Sequence, residues 1–356
     1  MRSGRTRPSS GTNKKGVRHT RWCLVGAAIL VTPAAAWEQT PVDSLAVHWN
    51  EGAADCKANP PAPVETHAIG VGTYILRESL CATYEAPFMY LLLGSAKAML
   101  IDDGDVADSV QVPLARTVLG LLPGSGSSRL PLLVVHTHRH LDHRAGDVQF
   151  ASMPGVEVVG YDTASVRRFY RFTGWPNGVT PIELGGRTVD VLPTPGHNET
   201  HVSFYDRNTA LFFSGDFMMP ARLLIDDAGA ERATANRVAA FVRDRPVRAV
   251  LGGHIELDTA GATYSWGSQH HPGEHALAMT KADLLALPAA TESFNGFYTR
   301  SGPFLMINSI RVLIAQALAL FVVLVALVAG VVVLVRRRRA ARRISATGVQ
   351  LPPRTV

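Results

Sequence analysis

Leu132-Leu133-Val134-Val135, an apolar run bounded by Pro131, empties directly into His136-Thr137-His138-Arg139-His140-Leu141-Asp142-His143-Arg144-Ala145-Gly146-Asp147. A short apolar, β-branched run suits a buried strand of a parallel sheet, so four histidines and two aspartates fall in the loop at its carboxyl end. Imidazole nitrogen and carboxylate oxygen are the donors that a borderline cation such as zinc takes in catalytic sites. Alternate spacing in an irregular loop lets His138 and His140 converge on one ion, leaving Asp142 and His143 to face a second. His136 is expected to end the strand facing away from both.

Three further turns downstream carry donors: Pro195-Gly196-His197, Ser214-Gly215-Asp216 and Gly253-His254. Together, His138-x-His140-x-Asp142-His143 and these turns resemble the HxHxDH signature and later markers of the metallo-β-lactamase-fold hydrolases, over roughly Gly70 to Glu256. The resemblance implies an α/β fold, a four-layer αββα sandwich. It also implies one ion on His138, His140 and His197, another on Asp142, His143 and His254, and Asp216 bridging. The implied cofactors are two divalent cations, zinc first, with iron or manganese as alternatives. A water between them would act as hydroxide, and Asp142 would take its proton. Asp102-Asp103-Gly104 resembles the family's acidic turn beneath the metals, which makes Asp102 an orienting group. His201 stands where thioester hydrolases of the family also carry histidine; a packed, hydrogen-bonded ring is the alternative. Glu85-Ala86-Pro87-Phe88 and Gly252-Gly253-His254-Ile255-Glu256 resemble a subgroup described only as metal-dependent hydrolases.

Asp216 narrows the chemistry. The family's β-lactam hydrolases usually place cysteine or serine there, whereas thioesterases, lactonases and phosphodiesterases place a carboxylate. The expected activity is hydrolysis of an ester-like bond in a small-molecule substrate, a thioester or lactone before a phosphodiester, because no basic cluster adjoins the motifs. A mononuclear-iron enzyme resembling persulfide dioxygenases is the redox alternative; a β-lactamase and a non-catalytic metal-binding module rank below. Phe217 to Ile225 and Tyr264 to His275 are expected as loops over the metals, with Tyr264 the substrate-contact candidate and Trp266, His270, His271 and His275 nearby.

The ends differ in kind from the middle. Residues 1–36 hold seven Lys/Arg and no acid, then an apolar stretch from Trp22 to Val31 and Ala34-Ala35-Ala36, which suits a secretory signal peptide or an uncleaved anchor. Residues 37–69, with Pro60-Pro61-Ala62-Pro63, read as an irregular arm, 70–300 as the hydrolase domain and 301–311 as a linker. From Val312 to Val335 the only polar side chain is Gln316, and about 20 apolar residues suffice to cross a bilayer's hydrocarbon. Arg336 to Arg339, Arg342 and Arg343 follow, so residues 336–356 are expected as a cytoplasmic tail and the catalytic domain as extracytoplasmic. The lipid bilayer is thus an expected partner through residues 312–335.

The formal charge of +6 belongs to the ends. Without the seven Lys/Arg before Trp22 and the seven beyond Val335, the middle has fewer basic residues than the chain's 29 acidic ones, so no nucleic-acid partner is expected. Cys56 and Cys81 fall in the outward segment and in no ligand motif; a disulfide and two free thiols are equally open.

Strands are expected over 71–77, 88–93 and 96–102, and helices over 106–122, with a kink at Pro113, and over 163–172.

Overall fold

A computed structural model describes residues 45–346 of the 356-residue chain. The expected signal or anchor at 1–36, the first residues of the arm and the end of the basic tail lie outside the described residues.

Strands β1 (Val64–Gly70), β2 (Thr73–Glu78), β3 (Phe88–Leu93), β4 (Ala98–Ile101), β5 (Leu132–Val135) and β6 (Val156–Val158) form one sheet in that order. Its first four strands are antiparallel neighbours, and β4, β5 and β6 run parallel. Helices α1 (Leu114–Leu121), α2 (Asp147–Phe150) and α3 (Thr163–Phe169) lie in the connections. A second sheet holds β7 (Thr180–Glu183), β8 (Thr188–Pro193), β9 (Val202–Asp206) and β10 (Leu211–Gly215). Strand β11 (Arg222–Ile225) leaves it, helix α4 (Ala228–Val242) follows, and β12 (Ala249–Gly252) and β13 (Ala278–Met279) complete the order β13-β12-β10-β9-β8-β7. After α5 (Lys281–Glu292), β14 (Tyr298–Ser301) and β15 (Phe304–Asn308) pair with β11 as a small third sheet, and α6 (Ile310–Ala346) ends the described chain.

The strand period of two explains the layers. In β5, Leu133 and Val135 enter the core between the large sheets, while Leu132 and Val134 meet the layer holding α1 and α2. In β10, Leu211 and Phe213 face the central core and Phe212 the layer of α4 and α5. Strands buried on both faces need continuous apolar runs, which is what these segments carry. The result is the four-layer αββα arrangement.

Several local expectations shift. The arm is not wholly irregular: Val64–Gly70 pairs with β2, and Leu45 and Trp49 are buried, the Trp49 ring edge-on to Phe88 at 4.9 Å. Cys56 and Cys81 form a disulfide that ties this segment down. Pro113, which lacks an N–H, stands at the cap of α1, so the helix starts there and residues 106–112 are irregular. Helix α3 stops at Phe169, before Arg171 at φ +56°. The 301–311 linker is instead β15 and the head of α6, because Phe304–Asn308 pairs in register with β11.

Candidate metal centre

Strands β8, β10 and β12 run in one direction, since β8 and β10 are each antiparallel to β9 and β12 is parallel to β10. Their carboxyl ends deliver His197, Asp216 and His254, and β5 of the other sheet delivers the His138–His143 loop. Two donor clusters result. In the first, His138 Nε2, His140 Nδ1 and His197 Nε2 are 2.9–3.2 Å apart. In the second, His143 Nε2 and His254 Nε2 are 3.2 Å apart, and Asp142 Oδ2 is 3.3 Å from each. Asp216 faces both: its Oδ2 is 3.5 Å from His197 Nε2 and its Oδ1 3.4 Å from His143 Nε2.

The surroundings decide which nitrogens are free to bind a cation. His197 Nδ1 donates to the Leu224 carbonyl at 2.6 Å, His254 Nδ1 to the Glu85 carbonyl at 2.7 Å, and His143 Nδ1 to Asp102 Oδ2 at 2.9 Å. A carbonyl oxygen only accepts, so in neutral His197 and His254 rings the Nε2 atoms keep their lone pairs. These lone pairs converge, and Asp216 Oδ1 is buried with no hydrogen-bond partner. Tetrahedral zinc with bonds of about 2.0–2.1 Å would need donors about 3.3 Å apart, close to the spacings found. The residues therefore fit two divalent cations.

Electrostatics agree with that donor set in the first cluster, whereas in the second the facing carboxylates, Asp216 foremost, outweigh burial and raise His143 and His254, so that a cation there would have to displace their protons. Burial, then the neighbouring imidazoles His143 and His197, holds His138 well below the usual histidine range. Burial, with His197, takes His140 down to about 4, so both rings are neutral and could serve as donors to a cation. Burial works against ionising Asp216 and Asp142, but the facing histidines, His143 foremost, outweigh it and hold both carboxyls below their ordinary value.

Glycine is required where the clusters meet. A Cβ on Gly253 would lie 2.3 Å from Asp216 Oδ1, and one on Gly215, at φ +53°, 2.8 Å from His201 Nε2. His201 is fully buried and accepts the Asp216 N–H at 3.2 Å through Nε2. Its Nδ1 therefore donates to Thr194 Oγ1 at 2.7 Å. Hence His201 holds the backbone of Asp216, the aspartate that faces both clusters, from behind.

His136 faces away from both clusters. Its Nε2 lies 3.0 Å from Asp147 Oδ1 and 3.8 Å from Asp103 Oδ2, where the ends of β4 and β5 meet the start of α2.

A cavity of about 590 Å³ opens from the donors. His140, Asp142, His197, Asp216 and His254 are among the residues that line it. Tyr264 does not line it: its phenol donates to the Pro272 carbonyl at 2.8 Å and its ring stacks on His271 at 4.1 Å. Trp266 supplies the aromatic wall, with the Arg222 guanidinium over its ring at 4.4 Å. Arg222 belongs to β11, inside the stretch expected as a loop, and is held by Glu256 at 3.2 Å and the Tyr264 carbonyl. Glu85 and Glu256, named above only as motif positions, also reach the cavity. The wall missed by sequence reasoning is Ile307, Ile310 and Leu313. No local pattern marks it, because it exists only once β15 pairs with β11.

The Metallo-beta-lactamase superfamily matches residues 129–291, a span that contains all seven converging donors. Among curated proteins, the chain is similar to the acyl-coenzyme A thioesterase MBLAC2 of Gallus gallus, 24% identical over 237 residues, covering 57% of this chain and 84% of that protein. It is also similar to the hydroxyacylglutathione hydrolase of Rhodospirillum rubrum, 26% identical over 186 residues, covering 49% and 69%. Among solved structures, a metallo-beta-lactamase from Pontibacter korlensis aligns at 18% identity over 65% of this chain and 100% of its own, with a TM-score of 0.44.

Proposed function

On the premise that this chain carries a metallo-β-lactamase superfamily domain and is a hydrolase of that fold, we propose that it hydrolyses acyl thioesters at a two-cation centre, anchored by α6 with the domain outside the cytoplasm. The observation that carries the reading is the pair of donor clusters, with Asp216 facing both, that lines an open cavity. Both curated relatives are named as hydrolases of acyl thioesters, which favours that bond over a lactone. Bound divalent cations would supply Lewis acidity and make a water available as nucleophile at neutral pH.

The chain's own groups do the rest. His138, His140 and His197 would hold one cation and Asp142, His143 and His254 the other, with Asp216 shared. Asp142 lines the cavity and is held ionised, so its carboxylate is the group placed to accept the water's proton and return it to the leaving thiolate. Met219, Leu224 and Trp266 give the cavity apolar walls beside the donors. The anchoring half of the proposal is favoured by α6, the one helix among the described residues long and apolar enough to cross a membrane, with its apolar window unburied. A disulfide suits an oxidising compartment.

Metal content paired with turnover on thioesters, lactones, phosphodiesters and β-lactams tests the reading. Two zinc ions and thioester turnover are expected; one iron with oxygen consumption would replace it with the dioxygenase alternative. Asp142→Asn should lower kcat by about 10²–10⁴-fold at full metal occupancy. Wild-type turnover in that variant would remove the proton-transfer role.

A further inference from the structure

One cavity is lined both by the metal donors and by Ile307 of β15 with Ile310 and Leu313 in the first turn of α6. Met219, Leu224 and Trp266 line it as well. From Val312 to Val335 the same helix is apolar at every position but Gln316. The substrate site and the root of the membrane helix therefore share a wall.

The coupling between them is short. The Leu224 carbonyl accepts from the ligand His197, and the next carbonyl, Ile225, accepts the Ser309 N–H at 2.9 Å at the head of α6. The carboxylate of Asp226 then pairs with Arg311. Three consecutive residues of one strand end thus fix the metal loop to the helix. The metals cannot lie far above the bilayer if α6 enters it.

Exposed aromatics mark the level of entry. Gln316, the single polar side chain of the apolar run, donates Nε2 to the Gly296 carbonyl at 3.2 Å. Beside that carbonyl, Phe297 is 61% exposed and Tyr298 47%, and Trp266 at the cavity wall is 63% exposed. Amphipathic aromatic rings gather at membrane–water interfaces, where one part of the ring meets hydrocarbon and the other water. Exposed Trp266 at the cavity wall and exposed Tyr298 beside the residue that Gln316 of α6 contacts suit a site at headgroup level.

From this common wall we infer that the cavity takes an amphiphile from the bilayer: an acyl thioester with a long aliphatic chain lying along Leu224, Ile307, Ile310 and Leu313, its thioester carbon at the donor clusters. The inference deepens the hydrolase reading above and rests on it and on α6 as a span. A volume of about 590 Å³ lies within the range of sites that enclose small ligands, about 300–1,000 Å³. The step itself is hydrolysis: water adds to the acyl carbon, the C–S bond breaks, and the products are a fatty acid and a thiol.

The test uses the full chain in phosphatidylcholine nanodiscs and S-acyl-N-acetylcysteamine thioesters from acetyl to decanoyl, below their micelle-forming concentrations. Each added methylene should raise kcat/KM about three- to fourfold until the wall is filled, as burial of a CH₂ from water predicts. Ile310→Trp, which fills that wall, should flatten the rise, read as the ratio of decanoyl to acetyl kcat/KM within the variant; a ratio as steep as in the wild type would overturn the inference. In vesicles, turnover of the hexadecanoyl thioester should follow its mole fraction in the lipid, not its bulk concentration.

A flat chain-length profile with good acetyl turnover would overturn the inference while leaving the thioesterase reading intact. Turnover that tracks bulk concentration would overturn the bilayer route. If no thioester is hydrolysed, the functional reading fails, and binding of the S-dodecyl against the S-ethyl thioether then decides the inference: equal affinity overturns it. Should Ile310→Trp misfold, the wild-type profile and the thioether pair still decide.

Discussion

Asp102 sits at φ +62°, a conformation that aspartate tolerates better than most residues, and is almost fully buried. There its two oxygens accept the Thr137 N–H at 2.6 Å, the Thr137 hydroxyl at 2.9 Å and His143 Nδ1 at 2.9 Å. One carboxylate thus sets both the backbone of the ligand loop and the ring of a ligand. Asp102→Ala should weaken retention of the cation held by His143 by about 10–100-fold, read as metal content after dialysis against graded chelator. Unchanged retention would rule out the orienting role. A second buried carboxyl makes a pH prediction. Burial pushes Glu78 up from its ordinary 4.5 to about 8, although it accepts the N–H groups of Asp105 and Val106. The folded state then holds a proton that the unfolded state has released. Stability from this group is full below about pH 4.5 and falls as pH rises toward 8, by roughly 3–5 kcal/mol in total. Denaturant melts across that window should show the slope in the wild type and lose it in Glu78→Gln, whatever that variant does to absolute stability.

At the scale of elements, the segment before β2 is the part whose order depends most on a cross-link. It contributes Leu45 and Trp49 to the central core and pairs along β1, and the Cys56–Cys81 bridge closes a separation of 25 residues. In a chain-entropy account such a loop is worth about 3–4 kcal/mol. The double variant Cys56→Ser, Cys81→Ser should lose about that much stability in urea melts while keeping the metal donors in place; a loss near zero would mean that β1 pairing alone orders the segment. The sequence showed the inner strands of the two large sheets better than it showed this edge strand. β3, β5 and β10 are apolar on both faces, whereas β1 reads Val-Glu-Thr-His-Ala-Ile-Gly and follows a proline-rich run, so its partner, not its composition, makes it a strand. Strand β15, Phe304–Asn308, is apolar by composition, and what its partner β11 decides is only where it sits.

For the whole molecule, the donor loops from both sheets converge on buried charges and lone pairs that only cations or protons can reconcile. Removing metal with a strong chelator should abolish turnover and lower the melting temperature, and restored zinc should return both. A melting temperature indifferent to chelation would show that the clusters are stable empty. What the sequence by itself determined is the chemistry of the centre and the membrane-length helix. Each donor lies in a short segment that joins a strand end to a ligand, and a run of apolar residues declares its own solvent, so both are local properties. What only the tertiary structure decided is where the site opens: Trp266 at its wall instead of Tyr264, and Ile307, Ile310 and Leu313 beside the donors. Those neighbours are set by the register of β15 on β11, a pairing of segments some eighty residues apart whose geometry depends on the packing of the whole domain.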